Sequence, residues 1–315
     1  MAPGFASGES IDPRRQATGS VPSCMRVHLV DGTYELFRHY FAMPGATDRQ
    51  GREVGALVGV LGSMLGMLGD GVTHLAVATD HVIESFRNAL WPGYKTGEGI
   101  EPALWAQFHP LEDALRAMGV TVWAMSDLEA DDALASGAWL AAHDARVTEV
   151  LICTPDKDLS QCVRGKRVVQ FDRRKREIRD EAGVVEKFGV PPGSIPDWLP
   201  LVGDSADGFP GIPGWGAKSA STLLARYGHL EAIPADPASW DVQVRGAARL
   251  SEALEARREE AILFRTLATL RTDAPLFGDV DALRWTGPTP AFEAQAERLG
   301  APELWSRACR AAGMA

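Results

Sequence analysis

The stretch LEADDALAS (Leu128–Ser136) holds three carboxylates, Glu129, Asp131 and Asp132, inside what otherwise reads as a buried Ala/Leu-rich helix. Like charges this close repel, and each is costly to take from water unless a positive partner sits beside it. Three apolar runs elsewhere end in an acid. Asp31 closes RVHLVD, Asp80 closes THLAVATD, and Asp156 closes EVLICTPD, with Asp158 two residues on. Left uncompensated, several of these seven carboxylates would have to stay protonated. Hard divalent cations take oxygen ligands, and Mg²⁺ keeps several waters while binding through carboxylates. An acidic set of this size is built for two such ions.

Each acid also has an ordinary reading. Ser126 to Glu129 fits S-x-x-E, a helix N-terminal capping box, and acids near a helix start are favoured by the macrodipole. A single Asp after a strand commonly serves a turn or a cap. PDKD (155–158) reads equally as a solvated loop, and GDSAD (203–207) as an Asx-turn. What resists those readings is the set, because all seven acids fall on one edge of the predicted sheet.

That edge follows from the elements. Residues 26–32, 73–80, 120–125 and 149–156 read as buried parallel strands, with helix candidates at 54–69, 101–118 and 129–143 between them. Such alternation predicts an α/β domain with a mostly parallel sheet, whose strand carboxyl ends form the ligand crevice. A fifth run, RVVQFD (167–172), leads into the basic RRKR and predicts an edge strand and hairpin. After about residue 183 helical patterns take over, broken by the Gly/Pro-rich GDSADGFPGIPGWGAKSA (203–220). No internal repeat is present.

The 315 residues suffice for one large domain or two modest ones. Cys24, Cys153, Cys162 and Cys309 form no CxxC pair, which argues against a zinc site or disulfide framework and for a reducing, cytoplasmic setting. The apolar run 54–69 is too short for a bilayer, which needs about 20 residues, and its glycines suit a closely packed core helix. Residues 1–24 lack an apolar signal core and read as a flexible tail. A net charge of −10 speaks at first sight against a nucleic-acid partner.

The ordered motifs LVDGTYELFR (29–38), ATDHVIESFRNALWPGYK (78–95), EADD (129–132), TPDKDLSQCV (154–163) and GDSADGFPGIPGWGAKSASTLL (203–224) resemble the bacterial 5′→3′ exonuclease and flap endonuclease family, which includes the N-terminal nuclease domain of bacterial DNA polymerase I. The resemblance covers roughly residues 26 to 285. It implies a PIN-like nuclease domain over 25–188 with an arch at about 84–110. A helical domain over 189–315 would follow, carrying a helix–hairpin–helix of the H3TH type at about 197–228. In that family the acids hold two Mg²⁺ or Mn²⁺ ions over the scissile phosphodiester. Carried over by motif, one site falls to Asp31, Asp80, Glu129 and Asp131, and the other to Asp132, Asp156, Asp158, Asp204 and Asp207. Setting those nine acids aside leaves 33 acidic against 32 basic residues, so the charge objection weakens.

Arg87, Tyr94 and Lys95 match the family's FR…YK at the arch base, where the cations would stabilise phosphate and Tyr94 would stack on an extruded base. The hairpin, with Gly211, Gly214, Gly216, Lys218 and Ser219, would present backbone N–H groups to duplex phosphates. Related hairpins hold a K⁺ ion through carbonyls, which makes K⁺ a candidate ligand. Arg38 in the first motif joins the expected DNA contacts. So do Arg173 and Arg174, for which a solvated hairpin is the alternative. Two departures stand out: Glu98, flanked by Gly97 and Gly99, where the family usually carries arginine, and Trp215, in place of a smaller hairpin residue.

The function so implied is hydrolysis of DNA at 5′ flaps, nicks or 5′-ended duplex, giving 5′-phosphate and 3′-hydroxyl ends in replication and repair, by a stand-alone nuclease with no membrane partner. A PIN-type ribonuclease is the near alternative, and a non-catalytic DNA-junction binder the more distant one. The full acid set argues against the binder, because a pure binder has no use for so much charge facing phosphate.

Overall fold

The computed structural model describes residues 25–314; the tail expected over 1–24, with Cys24, lies outside them. Strands β1 (Met25–Asp31), β2 (His74–Asp80), β3 (Thr121–Met125), β4 (Val147–Cys153), β5 (Val168–Asp172) and β6 (Glu177–Arg179) form one sheet in the order β3-β2-β1-β4-β5-β6. All pairings are parallel except β5 with β6, so the expected hairpin forms and β6, not β5, is the edge. The strand order reverses between β1 and β4. At such a reversal an open sheet leaves a crevice at its carboxyl ends.

Helices α1 (Gly32–Ala42), α2 (Gly55–Gly69), α3 (Phe86–Leu90), α4 (Pro102–Trp105), α5 (Phe108–Ala117) and α6 (Ala130–His143) surround the sheet. Alternate strand residues serve opposite layers. Val30, Leu75 and Val77 pack with Leu57, Leu61 and Met64 of α2, while Leu29, Ala76 and Ala78 pack with Ala133 and Leu134 of α6. Burial on both faces is why the strands read as continuous apolar runs. The glycine-rich α2 packs as its composition suggests: a Cβ on Gly59 would lie 2.5 Å from the ring of His39 on α1.

The expected helical arch is not a long helix. The short α3 and α4 flank an irregular loop at 91–101, where Pro92, Gly93, Gly97 and Gly99 raise the cost of helix. The loop is tied down by Trp91 Nε1 donating to the Gly208 carbonyl (3.1 Å) and Lys95 N donating to the Asp207 carbonyl (3.3 Å).

Helices α7 (Glu181–Phe188), α8 (Ile195–Val202), α9 (Ala217–Tyr227), α10 (Ala247–Ala256) and α11 (Arg258–Ala268) share a second core that includes Leu199, Phe209, Leu224, Leu254 and Phe264. Helices α12 (Ala291–Arg298) and α13 (Glu303–Ala311) do not join it. Phe292, Leu304 and Ala308 pack with α2 and α5, while Leu270, Val280 and Leu283 pack on the α6 side of the sheet. A helical domain running unbroken over 189–315 is therefore too simple. From about residue 270 the chain returns to cover the α/β layers. Among the described residues no helix is long and apolar enough to cross a membrane.

Candidate active site

Asp31 ends β1 and does two jobs. Its Oδ1 accepts from Tyr34 N (2.8 Å) as the N-cap of α1, and its Oδ2 accepts from Thr154 Oγ1 (3.0 Å) beyond β4. Burial, with Asp80 and Asp156 nearby, lifts its pKa to about 7, against the pull of those hydrogen bonds. Asp80 ends β2, where its Oδ1 accepts from Ala130 N (2.8 Å) in the first turn of α6. Burial raises its pKa too, opposed by Lys95. Asp131 is held well above the usual carboxylate range by burial and then by Asp156 and Asp31.

After β4 the chain turns through TPDKD, where Asp158 N donates to Asp156 Oδ1 (2.9 Å). Asp158 is raised by burial and then by Asp156, Asp207 and Asp204. Its Oδ1 is buried without a hydrogen-bond partner among the described residues. One oxygen from each of Asp158, Asp204 and Asp207 lies within 4.8 Å of the others. Asp204 and Asp207 come from the loop after α8, which closes on itself through paired backbone hydrogen bonds between Asp204 and Phe209 (2.8 and 3.0 Å). Burial raises Asp207, Lys95 opposes the rise, and Asp204 and Glu129 add to it. Asp156 acts electrostatically on Asp31, Asp131, Asp158 and Asp207, so the acids form one continuous group. An all-oxygen, mutually repelling set with an orphaned buried carboxylate oxygen suits hard divalent cations.

Two expected members have other partners. Both oxygens of Asp132 are taken: Arg87 Nη1 and Nη2 donate to them at 2.7 and 2.8 Å, Arg271 N at 2.9 Å and Glu129 N at 3.0 Å. Asp132 is 0% exposed, and these bonds tie it to Arg87 and the backbone. The capping box expected at Ser126–Glu129 is replaced by this bond from Glu129 N to Asp132, because α6 starts at Ala130. Glu129 itself accepts from Ser85 Oγ (2.6 Å), Arg87 Nη1 (3.2 Å) and Tyr94 Oη (3.2 Å), and pairs with Lys95 Nζ (2.7 Å).

The arch-base expectations need the same correction. Arg87 is 1% exposed and also donates to the carbonyls of Leu267 (2.7 Å) and Thr269 (3.3 Å), so its guanidinium is bonded within the protein. Tyr94 is 3% exposed and packs in the second core, where it offers no face to a base. Lys95 does reach the acids, bridging Glu129 and Asp207 (3.2 Å). Lys157, which sequence reasoning passed over, pairs with Asp204; its signal was its place between two aspartates in PDKD.

Among the expected DNA contacts, Arg173 is engaged by Glu35 (3.2 Å) and by Ser63 Oγ (2.9 Å). Arg174 is exposed, and Arg38, half-buried, pairs with Glu35. In the loop between α8 and α9, Gly211 and Gly214 take left-handed backbone (φ 77° and 84°), and Gly216 precedes α9. Ser219 Oγ accepts from Gly216 N (3.1 Å), and Lys218 is exposed.

Residues 26–189 match the family model described as "5'-3' exonuclease, N-terminal resolvase-like domain", and residues 190–291 match its "C-terminal SAM fold". The chain belongs to the 5′-3′ exonuclease family. It is 36% identical over 265 residues to a DNA polymerase I of Pseudomonas aeruginosa, an alignment covering 81% of this chain and 28% of the polymerase. The chain thus spans under a third of the length of that relative. In fold it is similar to a T5 5′-exonuclease described with divalent metal ions (zinc) bound, with a TM-score of 0.61, 21% identity, and coverage of 87% of this chain and 99% of that one. A bacteriophage T5 flap endonuclease, described as a complex with DNA and metal ions, gives a TM-score of 0.59 at 18% identity over 92% of this chain and 98% of that one.

Proposed function

We propose that this chain is a cytoplasmic, divalent-metal-dependent 5′ nuclease that hydrolyses DNA at 5′ flaps, nicks or 5′ ends. The observation that carries the reading is the meeting of Asp31, Asp80, Asp131, Asp156 and Asp158 of the sheet edge with Asp204 and Asp207 of the helical region. Asp31, Asp80, Asp131 and Asp156 would hold one Mg²⁺ or Mn²⁺, and Asp156, Asp158, Asp204 and Asp207 the second. Bound there, the ions would supply an activated water and a clamp on the attacking and leaving oxygens of an in-line displacement.

The chain's own groups do the rest. Lys95, about a quarter exposed, stands at the rim of the acids and can turn to a phosphate once other cations neutralise Glu129 and Asp207. Arg87 and Tyr94 hold Glu129 in place without touching substrate. The hairpin after α8 would bind duplex phosphates through its backbone N–H groups, with K⁺ on its carbonyls. The nuclease domain is then 25–188 completed by the returning segment from about 270, with the helical domain between.

Cleavage of 5′-labelled DNA flap, nicked and blunt duplexes in Mg²⁺ or Mn²⁺ tests this, with product ends mapped and an RNA flap run in parallel. DNA products with 5′-phosphate ends, abolished by EDTA and cut by orders of magnitude in Asp156→Asn, are expected. Activity confined to the RNA flap, or unchanged by EDTA, would overturn the proposal.

A further inference from the structure

Trp215 is the hairpin's departure from its family pattern, and its surroundings give it a task. The indole is buried, 7% exposed, and its Nε1 donates to the Leu250 carbonyl of α10 (3.0 Å). Leu250 and Leu254 of α10 share the second core with Trp215 and Ile212. The hairpin and α10 therefore form one rigid unit, pinned by the tryptophan.

On the solvent side of that unit lie two adjoining open cavities. One, of about 540 Å³, is lined by Pro213, Gly214, Arg245, Arg249 and Glu252, among others. The other, of about 590 Å³, is lined by Gly214, Gly216, Lys218, Ser219 and Arg245, among others. Gly214 and Arg245 belong to both, so the cavities make a continuous groove that starts at the hairpin turn and runs onto α10. Lys218, Arg245 and Arg249 are all exposed. Several exposed arginines elsewhere in this acidic chain are paired: Arg146 with Asp144, Asp279 and Asp281, Arg226 with Asp241, and Arg271 with Asp273. No ion pair within 4.0 Å joins the three groove cations to an acid among the described residues, and Glu252 is the only acid in either lining. Three cations left unneutralised along one groove, on a protein of net charge −10, call for an external polyanion.

We propose that Arg245 and Arg249 extend the hairpin's phosphate track onto α10, so that the groove takes a further stretch of duplex backbone beyond the contacts of the hairpin turn. This rests on the reading of the chain as a DNA nuclease. Arg245, just before α10, lines both cavities and takes the phosphate next to the hairpin, while Arg249, in the first turn of α10, takes the following one. The groove adds affinity and length of footprint, not base preference, because phosphate contacts carry no sequence information.

The test is equilibrium binding of the full chain to a blunt DNA duplex in EDTA, where nothing is cut, titrated with salt. Each phosphate contact contributes about 0.9 to the slope of log K against log salt. Arg245→Gln with Arg249→Gln should therefore lower the slope by about 1.8 and weaken binding by about 60-fold at 0.1 M salt. Arg245→Lys with Arg249→Lys should keep the slope, which separates lost charge from lost fold. A glutamine pair with the wild-type slope, or a lysine pair that loses it as fully, would overturn the inference. Wild-type chain that cuts flaps while the glutamine pair binds duplex unchanged sinks the groove alone. Wild-type chain that neither binds duplex nor cuts sinks the nuclease reading with it.

Discussion

Arg87 reaches both oxygens of Asp132, and neither side chain meets water. The FR of an FR…YK motif cannot disclose this, because a buried and a phosphate-facing arginine look alike in sequence. The difference is set by Leu267 and Thr269, some 180 residues away, whose carbonyls complete the guanidinium's bonding. Removing one member of a buried pair leaves the other charge uncompensated, at about 3–5 kcal/mol. Arg87→Ala should lose that much in urea unfolding, whereas undiminished stability with weaker substrate binding would return Arg87 to the phosphate. The acids were legible because an aspartate ending an apolar run is visible wherever it falls. Their mutual repulsion has its own signature. Asp31 is raised from 3.8 to about 7, so its contribution to stability is full below its unfolded pKa and is lost as pH rises through about 7. In chelator, the melting temperature of Asp31→Asn minus that of wild type should grow from about pH 5 to about pH 8 and then level off. A difference independent of pH would mean that Asp31 is not held protonated.

The helix expected at 54–69 is α2 (Gly55–Gly69) and that at 129–143 is α6 (Ala130–His143), since unbroken apolar periodicity marks an element's body well. The helix expected over 101–118 is broken between Trp105 and Phe108, where Gln107 turns its amide to Leu57 N (3.0 Å) and to the Ala103 carbonyl (3.0 Å). Tertiary bonds of that kind leave no mark on periodicity. The strand expected over 149–156 is β4 (Val147–Cys153), so Asp156 stands in a loop past the strand end. The loop at 91–101 is held by the hairpin side, and Gly208 is the point of closest approach. At φ 80°, a Cβ there would lie 1.9 Å from the Gly93 carbonyl oxygen. Gly208→Ala should therefore destabilise the chain by more than about 1 kcal/mol. It should also quicken amide exchange of Lys95, whose N–H donates to Asp207. Unchanged exchange at Lys95 would show that the loop does not depend on this contact.

The apolar layers of the sheet and the core of α7 to α11 lie on either side of the acids. Lys95 and Lys157 each reach from the sheet side to an aspartate of the hairpin side. Nothing in the chain's periodicity could have brought Asp204 and Asp207 to Asp158; only the family motifs pointed there, and the fold places their oxygens within 4.8 Å of one another. The return of α12 and α13 to the sheet was hidden for a related reason, since an amphipathic helix records that it needs a partner but not which one. The net charge of −10 misleads for the same reason, because part of the acidic excess is gathered at one site while unpaired cations line a groove elsewhere. The central claim is that two distant stretches of chain build one centre for two ions. Counting Mn²⁺ ions bound to wild type and to Asp204→Asn with Asp207→Asn, by calorimetric titration of the full chain, tests it most directly. Two ions falling to one, with the ion near Asp31 retained at little changed affinity, is the expected result. Two ions bound equally well by both proteins would contradict it, for then Asp204 and Asp207 only shape their loop.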